Sequence, residues 1–307
     1  MLIAAVNHKR RFQMVKYVVK KVLNNNVLIA ADDKNNEVVL IGKGIGFQRK
    51  KGDVIHQDII EKIFVLKNEN EQEHYKKLLP YLDEKTLNVI ISSLEIIKKR
   101  TRGTLNEHIH VALTDHLLFA MNRLMKGMVI KNPFLNETKA MYPFEYEIAE
   151  EVVDFIHEAA NIKLPEGEVG FIALHIHSAL TDKQLSEINQ YSQLLSTLVR
   201  TMEENLGMEI DRNSVEYMRL IRHLRYTIDR VQKGETLEES KKIKELLKKE
   251  YPLCYNLSWK LIKIMQQTLK KPVYEAEATY LTMHLQRLRA KQKNSNSLRV
   301  TDSIRHE

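Results

Sequence analysis

The sequence predicts a multidomain chain in which a small antiparallel all-β N-terminal domain precedes two homologous all-α helical-bundle domains. Three observations carry this. Period-two apolar alternation with tight turns is confined to the residues before Gly52. Helical spacing of apolar residues takes over after it. Finally, residues 114–127 (TDHLLFAMNRLMKG) align without a gap to residues 221–234 (IRHLRYTIDRVQKG), an offset of 107. His116 meets His223, and Leu117, Arg123, Lys126 and Gly127 are also identical in the second copy. Fourteen unrelated positions would share roughly one identity, so the chain carries a duplicated module.

In chain order, residues 1–13 differ in character from the rest of the chain and read as an N-terminal extension, either a basic arm or the product of a start upstream of Met14. Residues 15–23, 27–31 and 38–41 alternate as strands, separated by turns at 24–26 and 32–36. A Gly-Lys-Gly-Ile-Gly run at 42–46 then leads into a fourth short strand near Phe47. So small a sheet is marginal alone, which favours pairing with a second copy. Helices are expected at 84–99, 106–126, 143–161 and 169–180, with no return of strand periodicity after Gly52. The repeat resumes as Tyr142-Pro143 against Tyr251-Pro252, and Glu168 to His175 against Glu277 to His284, at an offset of 109. Each module therefore holds an early and a late histidine: His116 and His175, then His223 and His284. The expected domains are 14–70, 71–183 and 184–292, with a disordered polar tail at 293–307.

A single cysteine, Cys254, excludes an internal disulfide and suits a reducing compartment. The N-terminus lacks the order of a signal peptide, and no apolar run is long enough to span a bilayer, so a cytoplasmic chain without membrane insertion is expected. Net charge is +8, and all of it resides in residues 1–52, where eleven Lys/Arg face three acids. A basic segment on a neutral body suggests a polyanion partner; a solvated charged face is the plainer reading.

Lys20, Lys21 and Asn24 to Asn26 sit at one turn, with Gly42, Lys43, Gly44, Gly46 and Phe47 near another. Lysines contact phosphates, amides read base edges, glycines admit close backbone approach and a phenylalanine stacks a base. The glycines do not form a dinucleotide fingerprint, because no βαβ unit accompanies them. Hairpin glycines and turn asparagines alone would also explain them. His108-x-His110 and His175-x-His177 fail as metal pairs, because i and i+2 point apart on a helix. No G-x-S-x-G or Cys/His arrangement suggests hydrolysis, so neither a catalytic residue, a metal nor a cofactor is expected. The duplicated histidines are either core residues inherited together or imidazoles open to covalent modification. The positions apolar in both copies (Leu113/Leu220, Leu117/Leu224, Met121/Ile228, Leu124/Val231) centre roughly 95° from the histidine. That places His116 at the stripe's edge.

The blocks VKKVLNNNVLIA and EVVLIGKGIGFQRKKGD resemble the co-antiterminator RNA-binding domain of the BglG/SacY/LicT antiterminators. LNEHIHVALTDHL, LPEGEVGFIALHIHSAL, RLIRHLRYTIDRV and EAEATYLTMHL resemble that family's two PTS regulation domains, with the glucose-operon members nearest. The resemblance implies a homodimeric, non-enzymatic activator that stabilises a leader-mRNA hairpin against an overlapping terminator. It implies RNA contacts at Lys21, Asn26, Gly42, Lys43, Gly44 and Phe47. It also implies phosphorylation at His116, His175, His223 and His284 by HPr and a sugar-specific enzyme II, that for glucose. Lys43 stands where many relatives have Arg, keeping the charge but losing the planar fork, and residues 1–13 have no counterpart. A DNA-binding activator carrying the same modules is the alternative; it would need a helix-turn-helix where this chain reads as strands. A phosphotransfer enzyme would need a nucleotide or permease site, and none is present in the sequence.

Overall fold

The computed structural model describes residues 16–65, 73, 77–78, 83–102, 105–106, 108–238 and 240–303. The extension at 1–13 therefore lies outside the described residues, as do the last four of the tail. The described residues fold as two compact units, those within 1–127 with 155–162, and those within 128–154 with 163–307.

In the first unit, five strands make one antiparallel sheet: β1 (Tyr17–Asn24), β2 (Val27–Ala31), β3 (Glu37–Ile41), β4 (Val54–Ile55) and β5 (Lys62–Val65). Their order is β4-β1-β2-β3-β5. Asn25 and Asn26 alone join β1 to β2, and Asn24 pairs with Val27. One face gathers Tyr17, Val19, Leu28, Ala30, Val38, Leu40 and Ile55 into a core that Ile45 completes from the glycine loop. Burying each Val, Leu or Ile among them contributes about 1.5–3 kcal/mol.

This corrects the expectation of four strands ending before Gly52. Residues 43–48 are turns, and β4 and β5 both follow Gly52. A two-residue strand is too short to show alternation, and β5 is a four-residue run beginning at Lys62 and preceded by Glu61. The glycine run is a turn for steric reasons. Gly44 has φ +67, and a Cβ on Gly42 or Gly46 would lie 2.2 Å from the Ile59 or Asn24 carbonyl oxygen respectively.

The same unit holds α1 (Glu84–Arg100) and α2 (Ile109–Met125), which pack together. Asp83 caps α1 by accepting from the Thr86 N–H at 2.7 Å. Helix α2 starts later than its periodicity suggests, because the Asn106 side chain accepts from the His108 N–H at 2.9 Å and holds a turn there.

The remaining helices are α3 (Leu135–Met141), α4 (Pro143–Ala160), α5 (Glu166–Thr181), α6 (Leu185–Leu206), α7 (Val215–Lys233), α8 (Lys241–Glu250), α9 (Pro252–Leu269) and α10 (Glu275–Ser303). Of these, α4 runs from the second unit into residues of the first, and the others lie in the second unit. The second unit's core joins Met141, Tyr142 and Leu174 to Leu195, Leu224, Leu261, Leu281 and other apolar residues of α6, α7, α9 and α10. Helix α10 continues past the expected boundary at residue 293, since no Gly or Pro interrupts it. Among the described residues no helix is long and apolar enough to cross a membrane.

The duplication extends to the backbone. Gly127 and Gly234, which follow α2 and α7, have φ +72 and +70. Tyr142 and Tyr251, which precede the proline-initiated helices α4 and α9, have φ, ψ of −128, 57 and −131, 55. Both of those helices span 18 residues.

Gly46→Ala should destabilise the sheet by about 1–3 kcal/mol, the usual range for overpacking, because its new methyl meets a backbone carbonyl rather than a side chain that can move. Protease resistance of residues 16–65 in the full chain, compared with wild type, measures this loss.

Candidate nucleic-acid interface and histidine centres

The β1–β2 turn and the glycine loop are tied into one structure. The Asn26 Oδ1 accepts from the Gly44 N–H at 2.7 Å, and its carbonyl accepts from the Gly42 N–H at 3.0 Å. The Asn25 carbonyl accepts from the Gly46 N–H at 2.9 Å, and Asn24 Oδ1 from the Asn26 N–H at 2.9 Å. Asn26, Gly42 and Gly44 are thus brought together, with Lys43 and Gly44 exposed beside them. Phe47 closes the loop, its N–H donating to the Gly44 carbonyl at 3.0 Å, and its ring is 59% exposed. An uncovered phenylalanine held by a rigid turn can stack a base. Lys21 is also exposed but lies outside this network, on β1 opposite Ile29. Sequence reasoning did not find Glu61, whose Oε1 accepts from the Lys43 N–H at 3.2 Å and helps fix the loop.

In the second module, α7 and α10 face each other, and each presents three residues spaced to share a helix face. Helix α7 offers His223, Thr227 and Arg230; α10 offers Glu277, Tyr280 and His284. The His223 and His284 rings lie 4.8 Å apart, with Tyr280 6.0 Å from His223. At the centre is Glu277, whose side chain is 4% exposed. Its Oε1 accepts from Arg230 Nε at 2.9 Å, and its Oε2 from Arg230 Nη2 at 3.0 Å and from the Thr227 hydroxyl at 2.7 Å. His223 Nε2 lies 3.5 Å from both Glu277 Oε2 and Thr227 Oγ1. Burial, with His284 and Arg230 nearby, lowers the His223 pKa to about 3. Burial, with Arg287 and Arg219, lowers that of His284 as well. Burial thus favours the neutral imidazole at both positions.

Arg230, Thr227 and Glu277 escaped the sequence reading of the site, although Arg123/Arg230 and Glu168/Glu277 are identical in the repeat. The matched set is His116, Ala120 and Arg123 on α2, with Glu168, Phe171 and His175 on α5. His116 is half-buried beside the buried Leu113, Leu117 and Met121, at the edge of the apolar stripe. Arg123, Glu168 and His175 are buried.

His177 diverges from His175 and serves a different contact. Its Nδ1 lies 2.8 Å from Glu145 Oε1, and its ring stacks on Tyr142 with centroids 3.9 Å apart. Burial raises the Glu145 pKa, but the His177 hydrogen bond and backbone contacts outweigh it and hold the carboxyl below its ordinary value. Arg225 of α7 sits 5.2 Å from the Tyr142 ring and donates to the Met141 carbonyl.

The depressed pKa of His223 makes stability pH-dependent. An unfolded histidine takes up a proton near 6.5, whereas the folded ring resists it to about pH 3. The contribution is therefore complete above 6.5 and is lost as pH falls toward 3. Melting temperature should drop more steeply between pH 7 and about 5 in wild type than in His223→Gln, as scanning calorimetry can measure.

Residues 17–73 match the CAT RNA binding domain family, and residues 92–179 and 196–288 each match the PRD domain. The chain is 58% identical over 272 residues to the PtsGHI operon antiterminator of Bacillus subtilis (strain 168), covering 89% of this chain and 97% of the relative. It is 43% identical over 286 residues to the GlcA/glcB genes antiterminator of Staphylococcus carnosus (strain TM300), covering 92% and 100%. A crystal structure of GlcT CAT-PRDI shares 58% identity and a TM-score of 0.48, covering 54% of this chain and 99% of that one. With a CAT domain followed by two PRD domains, and with 89% and 92% of its length aligned to the two operon antiterminators, the chain belongs to the BglG/SacY/LicT family of transcriptional antiterminators.

Proposed function

We propose that this protein is a cytoplasmic, homodimeric antiterminator of a glucose PTS operon. It binds a leader-mRNA hairpin through residues 14–70 and is regulated through modules at 71–183 and 184–292. The observation that carries this reading is the 58% identity to an operon antiterminator across 97% of that relative. The loop geometry supports it. With the Asn26 oxygen engaged by Gly44, its amide NH2 supplies the donors for a base or phosphate. Phe47 offers a stacking face, Gly42 and Gly44 let the RNA approach the backbone, and Lys21 and Lys43 neutralise phosphates. The alternative of DNA binding loses ground because the N-terminal segment is a five-stranded sheet, not a helix-turn-helix.

Regulation in this proposal is electrostatic. His116, His175, His223 and His284 receive phosphoryl groups from HPr and the glucose-specific enzyme II, each adding roughly two negative charges. The protein catalyses no reaction of its own. When modules pair across a two-fold axis, each phosphorylated site meets its copy, and like charges disfavour that arrangement. RNA binding requires two sheets together, so altered module pairing alters affinity.

The full chain should shift a leader RNA hairpin in a gel, and Phe47→Ala should weaken this by about tenfold, the cost of one lost stacking contact. Retention of duplex DNA but not of the hairpin would overturn the reading. In cells, His116→Asp should reduce readthrough of the leader terminator. Unchanged readthrough would remove His116 from the regulatory scheme.

A further inference from the structure

Both neighbours of the His223 Nε2 are hydrogen-bond acceptors. Both Glu277 oxygens accept from Arg230, and Oε2 also from the Thr227 hydroxyl, so this side chain presents His223 with an acceptor. Thr227 directs its only proton to Glu277 at 2.7 Å. Its oxygen accepts from Arg230 Nη2 at 3.2 Å, leaving one lone pair directed toward His223. A bare ring nitrogen at this position would face two acceptors with nothing to share. Nε2 must therefore carry the ring proton, which leaves the lone pair on Nδ1.

We infer that Glu277 is the positioning carboxylate of the second module, holding His223 as the Nε2–H tautomer so that Nδ1 is the atom that accepts the phosphoryl group. The inference rests on the proposal that His223 is phosphorylated. In the transfer, the P–N bond of a phosphohistidine donor breaks and a P–Nδ1 bond forms on His223. The donor nitrogen recovers its lone pair. The His223 ring, neutral beforehand, gains positive charge as it becomes N-phosphorylated while still holding Nε2–H. Glu277 lies 3.5 Å from the nitrogen that bears that proton and offsets the charge. The phosphoryl group itself is added on the side of the ring away from the carboxylate, so the two anions are not forced into contact.

The repeat keeps the carboxylate and the guanidinium but not the hydroxyl. Glu168 and Arg123 are the identical residues of the first copy, whereas Ala120 stands at the position of Thr227.

The test phosphorylates the full chain with phosphohistidine-bearing HPr, and in parallel with phosphoramidate, which has no protein surface to dock. The phosphohistidine isomer on the peptide containing His223 is read by isomer-specific antibodies and 31P NMR. The unmodified chain should carry the Nδ1 isomer. Glu277→Gln should slow modification of His223 by about tenfold or more with both donors and release the Nε2 isomer, since a glutamine can present either a donor or an acceptor. Thr227→Ala, which copies the first module, should fold normally and keep the Nδ1 isomer. No phosphorylation of His223 in the unmodified chain would defeat the regulatory reading itself. An Nε2 isomer in the unmodified chain, or an unchanged rate and isomer in Glu277→Gln, would overturn this inference and leave that reading standing.

Discussion

A carboxylate buried to the extent of Glu277 has to be paired, because an isolated charge in that environment costs several kcal/mol. Arg230 and Thr227 provide the pairing, and both come from one face of α7. This fixes the register of α7 against α10: a shift by one residue would part the carboxylate from both of its donors. The rest follows from that register. Leu224, Ile228 and Val231 enter the core beside Leu281 and Leu285, and the His223 and His284 rings come within contact distance. A polar requirement thereby places the histidines, while the surrounding apolar packing provides most of the stability.

The two copies keep the same backbone but use it differently. Tyr142 and Tyr251 share their unusual dihedral angles at the start of a proline-led helix. Tyr142 is buried between His177 and Arg225, whereas Tyr251 is 37% exposed. The first copy's tyrosine has become part of the packing between residues 141–177 and α7. Arg225 and His177 each lie two residues beyond a duplicated histidine, on the opposite side of the same helix. Both partners of this stack therefore stand on helices that also carry a duplicated histidine.

Much of this was legible in the sequence, and the failures have physical causes. The repeat, its four histidines and the helix at Pro143 were visible because 3.6-residue periodicity and matched identities survive divergence. Strands β4 and β5 were not, because two and four residues are too few to show alternation and their pairing is with distant β1 and β3. Arg230 and Glu277 were visible as identities but not as a pair. On paper they are a charged residue on each of two helices, and only the packing of α7 on α10 joins them. The role of Asn26 was hidden for the same reason, since 18 residues separate it from Gly44.

Asn26 has a consequence for how such a protein can change its target. Its side-chain oxygen closes the loop that carries Gly42 and Gly44, which leaves only its amide NH2 for the RNA contact proposed above. Altering this residue to suit a different hairpin would unmake the loop that presents its neighbours. A change of the proposed target therefore asks less of contacts without a scaffolding duty, such as Lys21 on its strand or the side chain at position 47. The architecture separates side chains that can be exchanged one at a time from one that holds its neighbours in place.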